Sequence, residues 1–365
     1  MLPSLLLDTL SDGALLAFAG LLIGLAFGAS ANRSQFCLRA AVVEVARAAP
    51  GTRLIIWLLA LSTALAATQL AAVAGLLDVT QARPISARGS ISGAIIGGLM
   101  FGAGMILARG CASRILILSA TGNLRCLVSG LILTIVAQAS LRGVLSPVRE
   151  WAANLWVVEG GTNRELLAAL GLGHGAGVVL GLAGIAATLA FAIRQAPMRR
   201  PQVLTAIGVG LTIAAGWVLT QYLAGVTFEG GKVGSVTFIG PSADTLMGLI
   251  NTRNLPLSFD LGLIPGVFVG SLAATVLARE FQWQSFDGGS SMLRYIAGAV
   301  LMGFGGMLAG GCAVGAGVSG TAILAVTSML ALVSMIVAAG LTDRLLDRVP
   351  EGVPHPANVV ELQPR

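Results

Sequence analysis

Charge is scarce in this chain of 365 residues: only 10% are Asp, Glu, Lys or Arg, and Lys232 is the single lysine. Soluble globular domains carry about 25% charged residues, so an ordinary water-facing surface is excluded. Cysteine is also sparse, with four residues and neither a Cys-x-x-Cys pair nor a cysteine-histidine cluster, which excludes a disulfide scaffold and a structural zinc site. The two histidines, His174 and His355, lie far apart. No Walker lysine motif is present, so the chain does not itself use ATP. Few carboxylates fall deep in apolar runs, which gives a carboxylate proton relay little support. Nothing calls for a metal, a cofactor or nucleic acid. The N-terminus has Asp8 and Asp12 ahead of the first apolar run and no basic segment, so it does not read as a cleaved signal peptide.

Apolar residues are abundant, at 56% with a mean hydropathy of +0.88, which identifies a polytopic membrane protein. The 49 glycines agree, because helices in lipid associate by close packing through small residues. Runs near the ~20 residues needed to cross a bilayer cover 12–29, 54–77, 91–108, 125–146, 166–193, 203–224, 262–281, 294–309 and 321–346. Nine spans are predicted, all α-helical. Shorter apolar pieces at 35–47, 112–121, 242–252 and 313–320 read as half-helices.

The order of spans and short pieces over 1–150 recurs over 201–348, with an interfacial segment and linker span at 151–200 and a disordered tail at 349–365. Four spans plus a linker make five, so the second unit enters the membrane from the opposite side. The expectation is two inverted repeats, an arrangement that brings broken helices from both halves to a solute site at the midplane. Of the 22 Lys and Arg, seven fall on one side of the nine spans and fifteen on the other, or eleven once Arg33, Arg39, Arg109 and Arg114 are set aside as pore residues. The positive-inside bias then puts the N-terminus outside and the C-terminus in the cytoplasm. Trp151 and Trp156 suit the headgroup zone.

Two segments carry the chemistry. Phe101-Gly-Ala-Gly-Met-Ile-Leu-Ala-Arg-Gly-Cys111-Ala returns as Phe304-Gly-Gly-Met-Leu-Ala-Gly-Gly-Cys312-Ala, each ending an apolar run with a glycine-flanked thiol. Such a break exposes backbone groups that lipid cannot satisfy. If the pieces that follow are helical, Cys111 and Cys312 sit near helix N-termini, where free N–H groups and the dipole attract anions. One buried cysteine taken alone reads first as a small packing residue, but recurrence after Gly110 and Gly311 reverses that and favours a site. Cys37 lies in the polar stretch Asn32-Arg-Ser-Gln-Phe-Cys37-Leu-Arg39, which suits either a vestibule or a plain loop. Cys126 reads as packing. Arg109 and Arg114 flank Cys111 where Gly310 and Gly315 flank Cys312, so a cation for an anion exists on one side, unless those arginines snorkel to the interface.

With these motifs the chain resembles the YeeE/YedE family of sulphur transporters over nearly its whole length. The resemblance implies an hourglass of inverted halves in the inner membrane that takes up thiosulfate or a related sulphur or selenium species. It also implies that three cysteines hand the ion along by S–H hydrogen bonds, roles that fall on Cys37, Cys111 and Cys312; the residues themselves, not the resemblance, add Arg33, Arg109 and Arg114 as candidate cations. Small cytoplasmic sulphur carriers (TusA-like or rhodanese-like) are the implied partners. Thiolates would repel a dianion, so the thiols are expected to stay protonated in passage. The alternatives are a membrane sulphurtransferase with a persulfidated cysteine, and a channel for another small anion in which the thiols only pack.

Overall fold

The computed structural model describes residues 11–195, 198–226, 233–251, 257–284 and 289–346. The tail expected to be disordered, His355, Lys232 and Arg253 lie outside the described residues. Helices dominate. They are α1 (Asp12–Ser34), α2 (Leu38–Ala46), α3 (Thr52–Val73), α4 (Ile91–Leu107), α5 (Ala112–Ala120), α6 (Leu124–Arg142), α7 (Ser146–Asn154), α8 (His174–Gln195), α9 (Arg200–Val226), α10 (Ile239–Asn251), α11 (Phe259–Leu277), α12 (Gly289–Leu308) and α13 (Val326–Leu346). Among the described residues, strands are confined to an antiparallel pair, β1 (Gly89–Ser90) with β2 (Val157–Val158).

Among the described residues, eight helical segments are long and apolar enough to cross a membrane. The apolar part of α12, Met292–Leu308, is shorter. The chain is an all-α, multi-pass membrane protein. Four predicted boundaries need correction. The run 166–193 is not one span: a single turn, Leu166–Ala169, stops at Gly171 (φ 68°), and α8 begins at His174. Gly171 closes that turn, its N–H bonding Ala168 O and the following Leu172 N–H bonding Leu167 O, while Gly173 O accepts from Ala176 N–H at the start of α8. The first span runs on to Ser34, so Arg33 belongs to its last turn rather than to a polar interruption. The span 125–146 ends at Arg142, and α7 is separate. The piece 313–320 is not an α-helix but a π-helical turn, Gly315–Gly320.

Packing repeats in a regular way. Helix α1 lies against α11 as α9 lies against α3; α4 lies against α13 as α12 lies against α6; α2 touches α3 and α13 as α10 touches α11 and α6; and α4 meets α12 directly. The α1–α11 seam shows why so much glycine is present. A Cβ on Gly20, Gly24 or Gly28 would come within 2.0, 2.4 and 2.3 Å of the carbonyl oxygens of Phe259, Leu263 and Val267, and Gly262, Gly266 and Gly270 meet Ala17, Leu21 and Leu25 in the same way. Two i, i+4, i+8 glycine stripes therefore interlock backbone to backbone, which only glycine permits.

Loop contacts define two faces. On one, β1 pairs with β2, Arg83 N–H bonds Val233 O, and Arg164 bonds Ala87 O and Thr327 Oγ1. On the other, Arg47 makes a two-point ion pair with buried Asp343, Arg33 pairs with Glu280 at 3.7 Å, and Asn123 bonds Gln284. Trp151 and Trp156 are exposed.

Candidate functional site

Helices α4 and α12 stop in the same way. At the first, Arg109 N–H bonds Ile106 O and Gly110 N–H bonds Met105 O. At the second, Gly310 N–H bonds Met307 O and Gly311 N–H bonds Gly306 O. Both are Schellman motifs whose C′ residue is left-handed, with φ 53° at Arg109 and 79° at Gly310. In each, the cysteine is the residue after the motif. The chain has turned out of the helix there, and the sequence signal Gly-Cys-Ala is the footprint of that turn.

Beyond the breaks the two copies differ. Cys111 is the N-cap of α5, with extended backbone (φ −80°, ψ 167°). Its fully buried Sγ lies 3.9 Å from Cys37 Sγ and 3.3 Å from Ser113 Oγ. Cys37 is itself the N-cap of α2, so two helix N-termini converge on one sulphur pair. Cys312, also fully buried, precedes the π-turn, and its Sγ accepts the Gly315 N–H at 3.3 Å. The expected helix N-terminus is therefore absent at Cys312. Glycines at 315, 317 and 320 loosen the turn, and Gly315 packs so closely on Thr237 that a Cβ would sit 2.2 Å from its Oγ1. All four cysteines are free thiols. Cys126 lies in the first turn of α6, where its N–H is capped by Asn123 Oδ1.

The predicted cations fall in different settings. Arg114, in the first turn of α5, has a buried Nη1 with no hydrogen-bond partner and lies within electrostatic reach of Cys37, Cys111 and Arg53. Arg109 has a buried Nε without a partner. An unsatisfied buried donor costs about 1–3 kcal/mol, so both are poised to receive an acceptor. Arg33 is half exposed and engaged with Glu280, at the surface and not at the sulphur pair. Gly110 is buried, and a Cβ there would lie 3.3 Å from Ile115 Cγ1. Gly311 packs on the Ala316 N–H, 2.7 Å from where its Cβ would be. Among the described residues no group of His, Cys, Asp and Glu could hold a metal ion.

Residues 33–341 match the family described as sulphur transport. The chain belongs to that family. Among characterised relatives, a thiosulfate transporter, TsuA, of Spirochaeta thermophila is 27% identical over 331 residues, covering 87% of this chain and 96% of its own length. The Escherichia coli thiosulfate transporter TsuA is 32% identical over 133 residues, which span 36% of each chain. The matched range of the family runs from Arg33 through both glycine-cysteine breaks, so every site residue above lies inside it.

One buried polar group escaped the reading of the sequence. Gln69, on α3 and fully buried, donates to Ala322 O at 2.9 Å, while its Oε1 lies 3.1 Å from His174 Nδ1. His174 Nδ1 is also 3.3 Å from Glu165 Oε1. The available signal was Gln69 itself, an amide inside an otherwise apolar run, which needs a partner that lipid cannot supply.

Proposed function

We propose that the chain is an inner-membrane permease for thiosulfate, without its own ATPase, and that the ion passes along Cys312, Cys111 and Cys37 held by neutral thiols. The observation that carries this reading is the pair of buried sulphurs 3.9 Å apart at two converging helix N-termini. Thiosulfate has a soft terminal sulphur and hard oxygens. A thiol is a weak donor, so it can hold that sulphur briefly, while N–H groups at the ends of α2 and α5 and the guanidinium of Arg114 meet the oxygens. Several weak stations allow the ion to leave as readily as it arrives. Arg109 adds a second cation beside Cys111, and Gly110 and Gly311 let the backbone turn; Arg33 draws anions toward the mouth on its own face.

The inverted-repeat reading is supported by the paired packing of the two halves and by where the short pieces lead. The piece after Cys111 ends at Asn123, bonded to Gln284 on the face of Arg47 and Asp343; the piece after Cys312 ends at Ala325, bridged to Glu165 on the face of β1 and β2. The repeats are residues 1–150 and 201–348, joined by 151–200. The positive-inside bias makes the Arg47–Asp343 face cytoplasmic, where a small TusA-like or rhodanese-like carrier would receive the sulphur, and leaves the other face outside.

Uptake of radiolabelled thiosulfate into cells dependent on it for sulphur tests this directly. Cys111→Ala and Cys312→Ala each lower uptake, and the double variant abolishes it. Undiminished uptake in a normally inserted double variant would overturn the relay. A sulphurtransferase would instead add one sulphur to the mass of Cys111 or Cys312, but the side chains beside Cys111 Sγ are the Ser113 hydroxyl and the Cys37 thiol, with no histidine or carboxylate to activate it.

A further inference from the structure

The end of each short piece is pinned to a loop by a β-bridge, and the two pins differ in chemistry. At Asn123 the pin is neutral: Gln284 exchanges backbone hydrogen bonds with Gly122 and Leu124, and its Oε1 accepts from Asn123 Nδ2 at 2.6 Å. At Ala325 the pin is Glu165, bridged to Ala325, with Leu166 N–H on Leu324 O at 3.0 Å. The Glu165 side chain is only 5% exposed, and its Oε1, in ion-pair range of His174, makes no hydrogen bond. His174 is 35% exposed and connects this carboxylate to water.

Gln69 fixes how the cluster communicates. Its Nε2 donates to Ala322 O, so its Oε1 faces His174 Nδ1 as an acceptor. Nδ1 therefore faces the Gln69 amide oxygen as a donor, with Glu165 Oε1 in ion-pair range at 3.3 Å but not hydrogen-bonded to it. The other charged groups nearby are Arg164, committed to Ala87 O and Thr327 Oγ1, and Asp78, within electrostatic reach of His174 and bonded to Thr80 and Gln81. Neither neutralises Glu165. Helix α3 offers only Gln69, and residues 321–325 offer no ionisable group.

We propose that Glu165 and His174 form a proton-binding site coupled to anion passage at the Cys312 break, and that Gln69 and the Glu165–Ala325 bridge transmit its charge state to residues 321–325. One proton from water on this face binds the pair, whose net charge rises by one as the carboxylate's negative charge is cancelled. A bare carboxylate held against Ala325, at the end of the segment that follows Cys312, repels an approaching dianion, and the bound proton removes that repulsion. Burial raises the affinity of Glu165 for a proton above that of an ordinary carboxyl, and the adjacent imidazole works against this rise.

This inference rests on the transport reading above, and its test separates the two. Thiosulfate uptake is measured in vesicles holding the full-length protein, with pH set equal on both sides by a protonophore, between about pH 5 and 8. Wild-type uptake falls as pH rises, by up to about tenfold per unit above the midpoint, as one proton requires. Glu165→Gln, which carries the amide chemistry of Gln284, keeps the acidic rate at every pH. His174→Gln removes the group that restrains Glu165, so the midpoint moves to higher pH. A flat wild-type profile overturns the proposal, as does one that neither variant changes. If Glu165→Gln fails to insert, the shift in His174→Gln decides alone. Infrared difference spectra give a readout without transport: a protonated-carboxyl band that titrates in wild type and is missing in Glu165→Gln. Wild-type vesicles that take up no thiosulfate at any pH would fail the transport reading, and the infrared band would still judge the proton site.

Discussion

The two helix breaks allow a paired prediction with opposite signs. Arg109 and Gly310 occupy the same C′ position in matching Schellman motifs, at φ 53° and 79°. An L-residue held there costs about 1–2 kcal/mol relative to glycine, while glycine gives up about 0.4–1 kcal/mol through a freer unfolded chain. Arg109→Gly relieves the strain and also frees a buried Nε that has no partner, so it is expected to stabilise the protein by about 1 kcal/mol. Gly310→Ala meets no atom within 4 Å, so its cost is conformational alone, about 1 kcal/mol in the destabilising direction. Denaturant titration of the purified protein in detergent measures both. Uptake kinetics then isolate the role of the guanidinium: a stabilised Arg109→Gly that has lost a charged donor to the anion raises KM about tenfold or more. Destabilisation by Arg109→Gly, or no effect of Gly310→Ala, refutes the claim that the breaks share one left-handed geometry.

Gly262→Ala would drive a Cβ to 1.8 Å from Ala17 O in the α1–α11 seam and is expected to cost at least about 1–3 kcal/mol in the same titration, whereas Gly225→Ala, with open space around it, is expected to be neutral or stabilising. Asp343→Asn leaves the Arg47 guanidinium facing a neutral amide at a buried site and should lower stability by about 1–3 kcal/mol; an unchanged midpoint would show the pair to be ornamental. Asp78 has its pKa lowered first by the Thr80 hydroxyl and further by Gln81, so its contribution is present above the ordinary carboxylate range and is lost as pH falls through its depressed value. Thr80→Ala should move that acid loss to higher pH, read from proteolysis of the segment around residues 78–82.

Much of this was legible in the sequence because lipid imposes a simple rule: a span must be long, apolar and internally bonded. The long helices, the short α2, α5 and α10, and both cysteine breaks follow from that rule. Three features did not. The stop at Gly171 hid inside an apolar run because Leu170 and Leu172 keep the hydropathy high while the backbone turns. The π-turn after Cys312 depends on how closely Gly315 approaches Thr237, a contact across more than seventy residues. The cluster of Glu165 and His174 was invisible because the burial of Glu165 comes from a loop folding back over the end of the Cys312 segment, a contact between distant parts of the chain. The approach of Cys37 to Cys111 was suggested by resemblance, and its 3.9 Å is a fact of the fold alone.

The glycine seam between α1 and α11 also constrains how the molecule is assembled. At its end Asn32 bonds Thr275, a partner 243 residues later in the chain. Helix α1 emerges first during synthesis, and its bare glycine face must wait in the membrane until α11 arrives. Until then that face can be covered only by lipid or by a guardian such as an insertase, and it is open to pairing with the α1 of another nascent chain. A substitution that slowed synthesis between the two helices would therefore lower the yield of inserted protein while leaving the finished transporter unchanged.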